Sequence, residues 1–397
     1  MKIALVALPH PQETAAAPPL PLAYVAALLE QQRHIVRIYD LAVRGTTPNG
    51  DRLASLQTFR PHVALLVSES AEARLAVEPR LASCGAAVLH LCLSMREWAS
   101  GHEVASALRP ADHCRSPSKD EQNVIIDVLL ALDDDLDALP FPARHLLPLE
   151  HYPMHTSTGD LRTPLLIGRR VGGTYQMRNP ALLVSEIRSV AHEHGILHFL
   201  LAGAPLTHDR AWLRALLGRL REARLGIRWE ASVDFERLDR ELLEALRSQG
   251  CEGLCFAFDA MAVLDVKEAR AALVEAVSMA HDLGMFVRGR ISLEPRFSSM
   301  PALVDMAATF GLDDVQFYVL PLPPVAERTV GEPPLESFAE LVRERYQASR
   351  SRQQFIERFG ARLGPVIWRM GRSGLLGSDV RRQASGGDVP SEVVAGG

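Results

Sequence analysis

Residues Cys251 to Phe258 read CEGLCFAF, two cysteines in a spacing that lacks only the third ligand of an iron-sulfur motif. Three thiolates spaced CxxxCxxC hold three irons of a four-iron cluster and leave the fourth iron open, but the third position here is Phe258. The stretch follows a helical pattern, ELLEALRSQG, and is apolar enough for a buried strand. On a strand, positions four apart share a face but stand about 13 Å from each other, too far to share a cluster edge. Cys251 and Cys255 therefore read as small core residues.

Charge-bearing loops offer other chemistry. In GRRVGGTYQMRNP, Arg169 and Arg170 supply bidentate donors, while Gly172 and Gly173 let a ligand approach the backbone, which together would make an anion site. The plainer alternative is a glycine turn with solvated arginines. Asp259 ends the CEGLCFAF strand, and Arg288 and Arg290 alternate on the next one, so they point the same way. Facing inward they need an anion; facing outward they need only water, and both remain open. His10, between prolines that include Pro9, closes the first strand, where it could meet a ligand or simply sit in a turn. His192 and His194 point about 200° apart on one helix and cannot share a metal. No Ser/His/Asp order, HExxH, Walker loop or GxGxxG is evident.

The elements that must position these groups alternate regularly. KIALVAL, HIVRIYDL, HVALLVSES and AAVLHLCLS are short apolar runs separated by amphipathic ones, the mark of a parallel sheet covered on both faces. Residues 1–132 read as a doubly wound domain of five strands. DDDLDALPFPARHLLPLEHYP, acidic and broken by four prolines, reads as a linker over 133–160 whose acids face water. Six strand-helix units then follow over 161–325, two short of a closed eight-stranded barrel, so a partial (β/α)6 TIM-like barrel is expected. Residues 326–397 turn arginine-rich and then Gly/Ser-rich, giving a basic helical extension and a disordered tail.

Bulk numbers agree with a chain of this kind. Its 397 residues, 47% of them apolar, suffice for two cores, and 23% charged residues are too few for a disordered chain. A formal net charge of −5 gives no reason to expect nucleic acid. Five cysteines form no disulfide framework, which fits a reducing cytoplasm. MKIALVALPHPQE is a strand rather than a signal peptide, and no apolar run is long enough to span a membrane.

The order of segments resembles the cobalamin-binding radical S-adenosylmethionine (SAM) enzymes. KIALVALPHPQETAAAPPLPLAYVAALLEQQRHIVRIYDL looks like their opening, where a first strand ends in prolines, a PPLGLAYLA-like helix follows and the second strand ends in Asp. LDALPFPARHLLPLEHY is similar to their interdomain linker, and DRAWLRALLGRLREARLGIRWEAS and ELLEALRSQGCEGLCFAFDA resemble units of their barrel. The resemblance covers roughly residues 1–325. It implies a cobalamin-binding-like first domain, with Pro9, His10, Pro19 and Leu20 at the cofactor, ahead of a radical SAM-like barrel.

Departures fall at the functional positions. The family loop after the first barrel strand reads like RGCPYRCTFC and binds the cluster; here it is IGRRVGGTYQMRNP, without cysteine, although an RxRSP-like end persists as QMRNP. Ala202 and Gly203 replace an acidic pair, Ala257 and Asp259 replace a GIESG-like strand end, and SPSKDEQ replaces a GEGE-like loop. A four-iron cluster is not expected there, since thiolates are its ligands. The leading expectation is a degenerate, cluster-free binding or partner protein in a biosynthetic pathway, working with a catalytically competent radical SAM enzyme or another protein of that pathway. A competing one keeps cobalamin or SAM and transfers methyl groups without a cluster, with Arg169, Arg170, Asp259 and Arg290 lining the site. A third is an adaptor acting through the basic C-terminal helix.

Overall fold

The computed structural model describes residues 1–8, 17–41, 43, 53–68, 71–91, 108–111, 114–156, 159–260, 263, 266–293, 305, 307–319, 344–348, 350, 354, 358, 366, 367 and 370. The chain forms two compact units, one of Met1–Thr156, Asp160–Ala204 and Arg210–Ile227, the other of Ser157–Gly159, Pro205–Asp209 and Arg228–Gly397.

The first unit opens with a strand-helix alternation: β1 (Lys2–Ala7), α1 (Leu20–Gln31), β2 (Ile35–Asp40), α2 (Ala54–Phe59), β3 (Val63–Val67), α3 (Ala71–Ser83) and β4 (Ala87–Leu91). A short β5 (Leu108–Pro110) and α4 (Lys119–Asp133) complete the domain. Strand order is β2-β1-β3-β4-β5, parallel except that β5 runs antiparallel to β4, so the expected fifth strand is a brief edge piece. Alternate residues of β1 enter two cores, as a sheet covered on both faces requires. Ile3 and Leu5 join Leu22, Val25 and Leu29 of α1 and Ile125, Val128 and Leu129 of α4. Ala4 and Val6 join Leu56 and Phe59 of α2 and Val77 and Leu81 of α3. α4 begins with a capping box, in which the Ser118 hydroxyl accepts from the Glu121 amide and the Glu121 carboxylate accepts from the Ser118 amide. The SPSKDEQ stretch thus starts a helix.

The linker is packed rather than draped. Ala143 donates its amide to the Ala23 carbonyl of α1, Arg144 is 2% exposed, and the buried Tyr152 hydroxyl donates to Asp40 at the end of β2 over 2.7 Å. Beyond it come β6 (Arg162–Leu166), β7 (Gly168–Val171), β8 (Thr174–Met177), α5 (Pro180–His194), β9 (His198–Ala202) and α6 (Arg210–Ala223). β6 and β9 pair in parallel, while β7 and β8 form an antiparallel hairpin that the sequence pattern did not announce.

The second unit continues the repeats with β10 (Arg228–Val233), α7 (Arg240–Ser248), β11 (Cys251–Asp259), α8 (Lys267–Asp282), β12 (Phe286–Leu293) and β13 (Asp314–Val319), its four strands parallel and paired in chain order. The two strands β6 and β9 of the first unit and the four of the second give the six strand repeats the sequence pattern led one to expect, and no closed barrel is detected among the described residues. One face of β10–β13 is apolar: Trp229, Ala231, Leu254, Phe256, Val287, Ile291 and Val315 are all buried. Phe256 and Phe258 pack on the Phe235 ring, and Phe258 meets Phe310 edge-on.

Candidate functional site

Three arrangements concentrate polar chemistry, two in the first unit and one in the second. The first is the hairpin β7–β8, at the end of β6. Its two-residue turn is Gly172-Gly173, with φ of 54° and 89°, the left-handed pair that a tight type I′ hairpin turn needs and that glycine adopts freely. Gly168 and Gly203 set the path into it. A Cβ at Gly203, whose φ is 98°, would overlap the Gly168 carbonyl oxygen and lie 2.6 Å from Leu166 Cδ1. A Cβ at Gly168 would lie 2.7 Å from the Gln176 carbonyl oxygen. A side chain at position 203, including the acid that the family resemblance leads one to expect there, is therefore sterically incompatible with the hairpin path observed here.

The acidic run clamps this hairpin. Arg169 Nη1 donates to Asp133 Oδ1 (3.3 Å), and Nη2 donates to the carbonyls of Asp133 and, at 2.9 Å, Asp134. These carbonyls are orphan acceptors at the end of α4, so Arg169 caps a helix C-terminus where a cation is favoured. Gln176 reaches Asp135 over 3.5 Å, and the Asn179 amide donates to Asp137 Oδ1 over 2.7 Å. Asn179 in turn caps α5, its side chain accepting from the Ala181 amide, which gives QMRNP a helix-starting role. The anion that the arginine loop needs is this protein's own DDDLD, and those acids do not simply face water.

The second arrangement lies beneath the hairpin. Arg178 and Glu186 are fully buried, Arg144 is 2% exposed and Tyr24 is fully buried. Glu186 accepts from Arg144 over 2.7 Å and from Arg178 over 2.6 Å, while Arg178 donates to the Tyr24 hydroxyl over 2.8 Å. Arg144 also donates to the Pro164 carbonyl, and Trp212 donates to the Arg178 carbonyl. Burial, with Glu186 nearby, pushes the Tyr24 phenol far above its ordinary value. Burial lowers the Arg178 pKa, but Tyr24 and Glu186 outweigh it and leave it raised.

The third arrangement is the polar face of β10–β13. Parallel strands inside α/β folds usually read as apolar on both faces, yet this one carries Glu230, Cys255, Asp259, Arg288, Arg290, Ser292, Asp314 and Gln316. Arg288 stands opposite Cys255 on β11 and Asp314 on β13; Arg290 stands opposite Ala257 and Gln316. Arg288 Nε donates to Asp314 Oδ2 over 2.9 Å, and its Nη1 donates to Glu230 Oε2 over 3.3 Å. The reach to Glu230 crosses β11 beside Gly253, where a Cβ would sit 3.0 Å from Glu230 Cγ. Burial lowers the Arg288 pKa, but Glu230 and Asp314 outweigh it and hold the guanidinium charged. At the strand ends, where α/β folds place ligands, the Ser292 hydroxyl donates to Asp259 Oδ2 over 2.9 Å.

The sequence-predicted residues thus fall in separate places. Asp259, Arg288 and Arg290 share one face of the second unit's sheet. Arg169, Arg170, Gly172 and Gly173 share the hairpin of the first unit, Arg169 being 4% exposed with protein partners for every guanidinium nitrogen, and the other three exposed. Pro19 precedes α1 and Leu20 lies in its first turn, both buried, Leu20 in the core. Pro9 and His10 lie outside the described residues. Glu230 and Asp314 were missed; the parity of RWEAS and DVQ, polar at every second position as in VRGRIS, carried the signal. Cys251 and Cys255 are buried as expected, and burial pushes both thiols up, so neither is a thiolate at neutral pH. Among the described residues no group of three or more His, Cys, Asp or Glu is gathered as metal ligands would be, and no helix is long and apolar enough to cross a membrane.

No protein-family model matches the sequence, and no curated protein matches it significantly. Solved structures do. The radical SAM methyltransferase TsrM from Kitasatospora setae, with tryptophan substrate and the SAM analog aza-SAM bound, superposes with a TM-score of 0.50 at 12% identity, covering 80% of this chain and 72% of that one. The fold matches that of the cobalamin-binding radical SAM enzymes. TsrM with cobalamin and a [4Fe-4S] cluster bound gives a TM-score of 0.49 at 11% identity over 80% of this chain and 74% of that one. The cobalamin-dependent enzyme OxsB with aqua-cobalamin gives 0.48 at 11% identity over 86% and 55%. The segment after β6, where the family resemblance puts a cluster loop, is the β7–β8 hairpin; its side chains include guanidinium and amide groups but no thiolate, the ligand an iron-sulfur cluster requires.

Proposed function

We propose that this protein is a cluster-free relative of the cobalamin-binding radical SAM enzymes, a binding or partner protein in a biosynthetic pathway that works beside a catalytically competent radical SAM enzyme. The hairpin β7–β8 carries this reading. Its glycine turn, the Gly168–Gly203 approach and the clamp from Asp133, Asp135 and Asp137 make a thiolate-free segment with a fixed path of its own. Reductive cleavage of SAM needs an electron from a cluster, and this segment offers no ligand for one. Anaerobic reconstitution with iron and sulfide tests the reading: iron should stay well below four per chain, with no charge-transfer absorbance. Four irons and four sulfides per chain would overturn it.

A second reading, methyl transfer without a cluster, draws support from the polar face of β10–β13. Carboxylates suit the ammonium and sulfonium charges of SAM, and arginines suit its carboxylate. SAM would supply a methyl group on a sulfonium centre; Glu230, Asp259, Arg288 and Arg290 would bind and orient it. S-adenosylhomocysteine and methylcobalamin formed together, when the protein is incubated anaerobically with SAM and cobalamin pre-reduced to the nucleophilic cob(I) form, would favour this reading over the first. Cobalamin binding without that product would favour the first.

A further inference from the structure

Beyond β13 the chain comes back to the second unit's sheet. Residues 344–348 and 350 are helical, and Tyr346 is 1% exposed. Three side chains of this segment hold the three consecutive residues that lead into β13, Leu312 to Asp314. The Tyr346 hydroxyl donates to the Leu312 carbonyl, Arg350 donates to Asp313 Oδ1, and Gln347 Nε2 donates to Asp314 Oδ1. Gln347 and Arg350, three apart on a helix, face the same way. Asp313 accepts from His281 and from the Val287 amide as well, both at 2.8 Å.

We propose that Gln347 is a positioning residue for the polar face, acting through Asp314 on Arg288. Asp314 gives one carboxylate oxygen to Gln347 and the other to Arg288 Nε. A carboxylate torsion is broad and easily turned, so a partner on each oxygen restrains its plane more than a partner on one. That plane aims the Arg288 fork, whose far end reaches Glu230 two strands away. A free arginine side chain loses rotamer freedom when it binds, and a guanidinium already fixed meets the carboxylate of SAM without that loss. The inference rests on the reading that the polar face receives the ligand.

A stability cycle on the full chain tests the relay itself. Gln347→Leu is expected to lower the melting temperature, and its shift should fall to half or less in an Arg288→Lys background. Among the described residues Asp314 is the one partner the two side chains share, so equal shifts in both backgrounds overturn the proposal. If Gln347→Leu does not fold, Gln347→Lys and Gln347→Glu carry the same cycle. The lysine keeps a donor and should keep the dependence on Arg288; the glutamate repels Asp314 and should lose it; no difference between them overturns the relay. Titration with SAM supplies the functional readout: Gln347→Leu should bind at least threefold more weakly than the wild type, and equal affinity removes the positioning role. If the wild type binds no SAM, the ligand assignment fails while the stability cycle still decides the relay.

Discussion

At the residue scale, glycines and buried charges decide more than the groups first singled out for chemistry. Glu186 neutralises one of two buried arginines, and removing one partner of a buried ion pair leaves a charge with neither water nor counter-ion. Glu186→Gln should cost about 3–5 kcal/mol, read as a lower urea midpoint, whereas substitution of the exposed Arg170 should leave the midpoint unchanged. Gly203→Ala meets two obstacles, a φ of 98° and the Gly168 carbonyl. Left-handed strain in a residue other than glycine costs of order 1–3 kcal/mol, and the overlap adds to it. Circular dichroism should show an earlier thermal transition for this variant, with Gly218→Ala as a control, since a Cβ there meets nothing within 4 Å. Sequence could name Gly203 as a departure from a familiar pattern but not give its reason, because the clash comes from a residue 35 positions earlier whose path is set by a turn. Glu186 and Arg178 were invisible for a similar cause. A charged residue in a helix pattern reads as solvent-facing until the fold shows it buried with partners from α1, the linker and β8–α5.

At the element scale, local pattern gave most of the strands and helices correctly, since parallel strands and their covering helices differ in hydrophobic period. It left GRRVGG between two readings, because two glycines after two arginines serve a ligand-binding loop and a glycine turn equally well, and a glycine turn is what forms. DDDLD was misread: like charges in a run usually face water, and only the fold brings Arg169, Gln176 and Asn179 to them. The capping box of α4 permits a test with a sign. The hydrogen bond from Arg115, with the Ser118 backbone and side chain, holds the Glu121 carboxyl down at about 2 against an ordinary 4.5, although burial pushes the other way. A depressed carboxylate contributes stability that is complete above its unfolded pKa and is lost as pH falls through the folded one. Wild type should therefore exceed Glu121→Gln in urea midpoint above pH 4.5, with the gap closing as pH approaches 2. Ser118→Ala should cost about 1 kcal/mol, and a variant with no change would show that α4 starts without its cap.

At the scale of the whole molecule, the C-terminal segment separates an independent adaptor from an integral part of the second unit. An adaptor helix hung on a finished domain can be removed without thermal consequence. Tyr346, by contrast, is buried against the turn before β13, and burial pushes its phenol up to about 12. Asp313 makes the same point electrostatically. Burial raises its pKa, but His281, the Val287 amide and Arg350 outweigh it and leave the carboxyl below its ordinary 3.8, so this anchor weakens only as pH falls through that depressed value. A chain ending at Pro324 loses an aromatic ring from the core and three side-chain hydrogen bonds, a loss of about 3 kcal/mol or more from burial and hydrogen bonding. Calorimetry of the truncated chain should show its melting transition moved down by several degrees from that of the full chain. An unmoved transition would return the C-terminal segment to the adaptor reading and leave Gln347 without a role at the polar face.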